Sequence, residues 1–283
     1  MKALTVRSMR ILEAGETSPT VEHIRSSLAR GLPEFAPAIV VNDGTFVVCG
    51  SGPSLVKYAE EIKQERATGK AICAIKGAHD WLVEQGVEPD MFVSCEPRER
   101  PLKHPNDRTT YLIASRCPPS LFDQLKDREV VIWHSAASKP NAPQMNADEY
   151  AKAQEIKWED LDLLDECNEW KGRFGVGGGT TSGLRAIMIG FLMGFRKFKL
   201  YGFDSCLAND VQTKRFSGEN IGTGKKIDVI VGGRRFWCNG ALAQQAAEFL
   251  KLYEALPNIT IEAVGDGLIA EILKQRRLRG YKS

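Results

Sequence analysis

Short runs of apolar and β-branched residues recur along the chain, separated by longer stretches whose apolar positions repeat every three to four residues. The runs "TFVVCG", "KAICAIKG", "DMFVSCEP", "TYLIASRC", "EVVIWHSA", "KFKLYGFD" and "ITIEAVGD" read as buried strands. Helical periodicity fills most of the gaps. "PSLVKYAEEIKQERATG" ends at a glycine, "GAHDWLVEQGVEPD" ends with Gly86 and Pro89, and "SGLRAIMIGFLMGF" is apolar enough to be a largely buried helix. Strands alternating with helices of this length predict an α/β fold with a doubly wound, mostly parallel sheet and right-handed crossovers.

Around this rhythm the chain divides. Residues 1–44 form a peripheral N-terminal segment with a helix at "TVEHIRSSLARG", and residues 45–275 form the main domain. Within it, the polar, acid-rich 138–172 reads as an insertion and the glycine-rich 207–240 as a lid, because long polar loops in compact domains are often functional covers. Residues 276–283 form a basic tail that reads as a solvated helix end. Cys49, Cys73, Cys95 and Cys117 follow the strand rhythm. The seven cysteines are odd in number and lack C-x-x-C or zinc-site spacing, which points to reduced thiols. A net charge of +2 demands neither nucleic acid nor a membrane as partner. The N-terminal stretch lacks a signal-peptide core and no run is long enough to span a membrane, so the expected location is cytoplasmic.

Candidate chemistry follows from one rule: in a doubly wound sheet, ligands bind beyond the carboxyl ends of the strands near the switch in strand order. The first strand ends in Gly50, Ser51, Gly52, Pro53 and Ser54, a sharp turn into a helix start. Such a turn favours a phosphate, or is simply a tight connection without a ligand. Leu55 stands where the third glycine of a dinucleotide fingerprint belongs, and no P-loop follows. A second cluster, "FGVGGGTTSGLRA", offers Gly178, Gly179, Thr180, Thr181 and Ser182 before another helix, as an anion cradle or as a turn that lets that helix pack closely. Other strand ends supply Lys76 to neutralise phosphate, Glu96 and Asp204 to orient a ribose or hold Mg²⁺, and His134 with His79 as acid, base or phosphate donor. The acidic "DLDLLDE" at 160–166 reads as a helix face more than a metal site. Asn239 reads as a helix N-cap beside Arg234, Arg235 and Trp237, which can close over a ligand. No Ser-His-Asp arrangement or nucleophile elbow is present.

"VVCGSGPSL", "AIKGAHDWLVEQGVEPDMFVSCEP" and "GGGTTSGLRAIMIGFLMGFRKFKLYGFDS", in this order, resemble the superfamily joining motility-associated-factor glycosyltransferases to 6-hydroxymethylpterin diphosphokinase-like (MptE-like) proteins. The third also resembles bacterial sialyltransferases. The resemblance covers about residues 45–206. It implies a Rossmann-like nucleotide-binding transferase. Gly50, Gly52, Pro53 and Ser54 match its first nucleotide-contacting turn, Gly178 to Ser182 its second, and Glu96 and Asp204 its acids. Two departures stand out: Glu96 replaces a common aspartate, and residues 205–245 lack the histidine that the sialyltransferase-like lid supplies as base.

The leading expectation is transfer of a sugar from a CMP-, UDP- or other nucleotide-activated donor to a hydroxyl acceptor. That acceptor is a small molecule, a glycan or a macromolecule. The alternatives are Mg²⁺-dependent transfer of diphosphate from ATP to 6-hydroxymethyl-dihydropterin, and nucleotide binding without catalysis. Glu96, His134 and Asp204 are the catalytic candidates.

Overall fold

The computed structural model describes residues 17–38, 40–135, 173–208 and 226–280. The acidic run at 160–166, the 138–172 segment and the middle of the 207–240 stretch lie outside them. The first five strands are β1 (Asn42–Cys49), β2 (Ala71–Ile75), β3 (Met91–Ser94), β4 (Thr110–Ala114) and β5 (Val130–Ser135). β6 (Gly175–Val176), β7 (Phe195–Tyr201), the pair β8 (Ile227–Val231) and β9 (Arg234–Cys238), and β10 (Thr260–Ala263) follow. Among the described residues the helices are α1 (Thr17–Leu28), α2 (Ala59–Ala67), α3 (Ala78–Glu84), α4 (Pro119–Gln124), α5 (Ser182–Leu192), α6 (Gly240–Ala255) and α7 (Leu268–Leu278). A 3₁₀ helix, Pro53–Tyr58, precedes α2.

Among the described residues eight strands form one parallel sheet in the order β10-β7-β1-β2-β3-β4-β5-β6. The seven apolar runs are all strands of this sheet. The order reverses between β1 and β7, so the switch point lies where "GSGPS" and "GFD" emerge side by side. Both faces are covered, which is why the strands read as unbroken apolar runs. In β1 the period of two sends Phe46 and Val48 into the larger core under α5, and Val47 and Cys49 into the smaller core with Leu55, Ile62 and Leu82.

The N-terminal segment reaches the sheet: Glu34 bridges Ile132 and Phe35 is buried in the larger core. The stretch read as a lid carries the antiparallel β8–β9 pair, joined by Gly232 and Gly233 with φ of 57° and 80°. No helix among the described residues is long and apolar enough to cross a membrane.

Phe46 anchors the larger core. Its ring lies 4.9 Å from Phe195 and 6.0 Å from Phe198, and a Cβ added at Gly190 would stand 2.6 Å from it. Phe46→Ala is therefore expected to cost about 3–5 kcal/mol, the range for truncating a buried aromatic, measured by urea denaturation.

Candidate functional site

The first glycine turn is built against the end of β7. The Gly50 N–H donates to the Tyr201 carbonyl (2.8 Å), the Gly52 N–H to the Gly202 carbonyl (2.9 Å), and the Ser54 N–H to Asp204 Oδ2 (2.9 Å). These N–H groups, read from the sequence as a phosphate cradle, are thus engaged by the neighbouring strand end. The glycines are required by backbone contact. A Cβ at Gly50 would stand 2.8 Å from the Gly202 oxygen, and one at Gly52 would collide with that oxygen and with the Asp204 carboxylate.

Asp204 is 7% exposed and lies between two clefts. The smaller, of about 190 Å³, is lined by Gly50 to Gly52, Lys76, Thr181 to Gly183, Asn239 and Gln245. The larger, of about 530 Å³, is lined by Ser54, Lys57, Arg235, Trp237 and Asp266. Burial raises the Asp204 carboxyl above the ordinary aspartate range, the Ser54 N–H opposes that shift, and the Asp266 charge adds to it.

The next residue fixes the aim of the loop. Ser205 is left-handed (φ 49°) and its hydroxyl donates to Gln245 Oε1 (3.1 Å). The Gln245 amide donates in turn to Thr181 Oγ1 (3.2 Å), so α6 ties the second turn to the Asp204 loop.

The model of the family described as 6-hydroxymethylpterin diphosphokinase MptE-like matches residues 20–210. The chain belongs to this MptE-like family. Among solved structures, the MAf glycosyltransferase from Magnetospirillum magneticum AMB-1 has a similar fold, with a TM-score of 0.60 at 14% identity. The match covers 90% of this chain and 37% of that one, so the chain spans little more than a third of that protein's length. A mammalian sialyltransferase in complex with Gal-beta-1-3GalNAc-ortho-nitrophenol aligns at a TM-score of 0.36 and 10% identity, over 90% of this chain and 81% of the other. No curated protein matches the chain.

In this MptE-like chain the residues singled out from sequence sort into groups. Gly50, Ser51, Gly52, Lys76, Thr181 and Ser182 line the smaller cleft, Pro53 and Ser54 line the larger, and Asp204 lines both. Gly178, Gly179 and Thr180 line neither. Gly178 and Gly179 have φ of 110° and 121°, and a Cβ on either would press into Met188 or Leu184, so these glycines serve close packing of α5. The Thr180 N–H and hydroxyl both donate to Glu248 Oε2, at 3.0 and 2.8 Å. Thr181 caps α5 by accepting from the Leu184 N–H, as Asn239 caps α6 by accepting from Leu242.

Glu96 is buried among cations. Burial alone would raise its carboxyl, but hydrogen bonds from Arg98 and the charges of Lys76, Arg98 and Arg100 outweigh it and hold the pKa at about 2. Arg98 Nε and Nη2 reach it at 2.6 and 3.1 Å, and Lys76 Nζ at 3.4 Å. That makes Glu96 a weak base, its charge already balanced by neighbouring cations. Its role is to hold Lys76, itself left-handed at φ 52°, at the edge of the smaller cleft.

His134 lines neither cleft. Its Nδ1 pairs with the Ser115 hydroxyl (3.0 Å) and its Nε2 with Glu34 (3.1 Å), and burial lowers its pKa to about 4. His79 is buried between Phe92 and Tyr111, with Nδ1 at 3.3 Å from Asp80. His134→Gln is accordingly expected to leave turnover within about twofold while lowering thermal stability, because it disturbs buried hydrogen bonds far from the clefts. A kinetic assay paired with a melt checks this; a large loss of turnover in a folded variant would return His134 to the catalytic set.

Asp266, Lys57 and Gln245 escaped the sequence reading. Asp266 closes the last apolar run, "ITIEAVGD", at the carboxyl end of β10, where the strand-end rule could have found it. No comparable signal marks Lys57 or Gln245, which reach the site from the 3₁₀ helix and from α6. Among the described residues no three His, Cys, Asp or Glu side chains converge as a metal cluster. Asp204, offered by the sequence as a Mg²⁺ ligand, has one carboxylate oxygen engaged by the Ser54 N–H, and Asp266 lines the larger cleft but not the smaller.

Proposed function

We propose that this MptE-like protein is a nucleotide-dependent transferase that moves a sugar from an activated nucleotide to a hydroxyl acceptor. The observation that carries the reading is the position of Asp204, a buried carboxyl of raised pKa shared by two clefts of different character. A base poised between donor and acceptor is what such a transfer needs.

The donor occupies the smaller cleft. Lys76 and the first residues of α5, whose helix dipole favours negative charge, face its phosphates. The acceptor occupies the larger cleft, under β8–β9. Asp204 takes the proton from the acceptor hydroxyl as that oxygen bonds to the sugar carbon. The bond from sugar to phosphate oxygen breaks, and its electron pair leaves with the nucleotide. Mg²⁺, carried by the donor's own phosphates, would neutralise their charge and leave Asp204 as the base. Sugar transfer ranks first because the similarity to the MAf glycosyltransferase fold spans 90% of the chain. The family description favours a second reading, attack of the acceptor oxygen on the β-phosphorus of ATP, with the acceptor proton passing to Asp204, the bond from that phosphorus to the α–β bridging oxygen breaking, and AMP leaving with its electron pair.

Thermal stabilisation by CMP, CDP, UDP, GDP, ADP and ATP, each with and without Mg²⁺, tests both readings, since a ligand that binds only the native state must stabilise it. Cytidine or uridine selectivity supports sugar transfer and names the donor to assay. Selectivity for ATP with Mg²⁺ favours diphosphate transfer. No stabilisation by any of them would overturn both.

A further inference from the structure

The larger cleft carries a charge pattern that a hydroxyl acceptor alone does not require. Four elements converge on it: the 3₁₀ helix with Ser54 and Lys57, β9 with Arg235 and Trp237, and the ends of β7 and β10 with Asp204 and Asp266. Its cations differ in how firmly they are engaged. Arg234 donates to Glu271 Oε2 (2.8 Å) and to the Asp266 carbonyl (3.2 Å), so it braces the wall. Lys57 makes no hydrogen bond or ion pair among the described residues and acts on the Asp204 carboxyl by charge alone. Arg235 reaches Asp228 only at 3.6 Å, with both side chains well exposed, a pairing weak enough to be exchanged for a ligand.

Two further features point to an occupant. Ser54 is 6% exposed and lines the cleft, with its hydroxyl set against the Asp204 carboxyl where an incoming hydroxyl would meet both. Trp237 has Arg235 and Lys226 over its ring at 5.8 and 5.6 Å, an aromatic surface set among positive charges.

We infer that the acceptor of the proposed transfer carries an anionic group, a phosphate or a carboxylate. Lys57 and Arg235 hold that group, and Trp237 supports the ring that bears it. The cleft is polarised: its exposed cations draw the anion toward solvent, and buried Asp204 repels it from the floor. Asp266, exposed at the same opening, disfavours the anion on its own side. The end presented to Asp204 is therefore the uncharged, hydroxyl-bearing one, so one set of charges selects the acceptor and orients it. This inference rests on the transferase reading, because it takes the larger cleft as the acceptor's.

The test is a titration of tryptophan fluorescence with glucose 6-phosphate, glucuronate, glucose and UDP, using Trp237→Phe to isolate the signal of the cleft. Both charged sugars, or one of them, are expected to change the Trp237 signal at concentrations where glucose does not. A response to glucose 6-phosphate alone identifies phosphate as the group, and a response to glucuronate alone identifies carboxylate. Lys57→Ala and Arg235→Ala are each expected to weaken the effective sugar by about tenfold, the weight of one charge-assisted hydrogen bond. Either substitution should leave stabilisation by UDP unchanged. Equal response to glucose, no response to either charged sugar, or indifference to both substitutions would overturn the inference. So would a Trp237 response to UDP with the same dependence on Lys57 and Arg235, since the cations would then serve the donor. The titration involves no turnover. Selective anion binding in a protein that transfers nothing would therefore count against the transferase reading and not against the anion site.

Discussion

Asp204→Asn is expected to lower kcat by about 10²- to 10⁴-fold, the range for a lost general base. Stabilisation by the nucleotide should stay nearly unchanged, because Asn keeps an oxygen to accept the Ser54 N–H and so preserves the first turn. Asp204→Ala removes both functions, and is expected to lose about 1–3 kcal/mol of stability as well, because the buried Ser54 N–H loses its acceptor. Steady-state kinetics alongside nucleotide binding separate the two effects; full activity in Asp204→Asn would reject the base.

The pH dependence carries the same signature. The ionised form is the base, so kcat should rise with pH through a value above the ordinary aspartate range. Asp266→Asn removes a neighbouring negative charge and should move that limb to lower pH. Stability runs the other way. Between the ordinary and the raised value, the folded state holds a proton that the unfolded state has released, so stability falls as pH rises through that window. Asp204→Asn should flatten this slope.

Gly202→Ala is expected to cost about 3 kcal/mol or more, enough to empty the site of a marginally stable protein. Gly202 has φ +65°, and a Cβ there would collide with the Gly50 carbonyl and stand 3.1 Å from Leu55 Cβ. Gly69→Ala is the control. Gly69 has φ +77° with nothing within 4 Å of an added Cβ, so it should show the left-handed penalty alone, about 1–2 kcal/mol. Urea midpoints of the two variants give the comparison. Equal costs would mean that the "GSG" and "GFD" turns yield to each other, and that their contact does not fix Asp204.

All seven apolar runs were legible as strands because each is buried on both faces, and burial leaves a continuous apolar signature. The two-residue β6 is too short to leave one. The β8–β9 pair had a readable turn, Gly232-Gly233 between alternating residues, but its polar flanks gave it the look of an irregular cover. At the site, the strand-end rule gathered Gly50 to Gly52, Lys76, Thr181, Ser182 and Asp204 around one cleft. It could not separate glycines that approach a ligand from glycines that approach another backbone. Gly178 and Gly179 make room for the α5 side chains Met188 and Leu184, and in Gly50 and Gly52 the backbone contact is with Gly202, just past β7. His134 stands at a strand end as expected, yet four strands lie between it and β7. Its exclusion follows from sheet order, which local pattern does not contain.

The reversal of strand order between β1 and β7 also has a consequence for biosynthesis. β1 can pair with β2 soon after both leave the ribosome, but its other edge must wait for β7. Ser54 and Asp204 are 150 residues apart, and at about 5–20 residues per second that wait lasts roughly 8–30 s. Throughout it, one edge of an apolar strand stands unpaired and the Ser54 N–H lacks its carboxylate. The nascent chain is thus most exposed to misassociation at the strand that later forms the floor of the site.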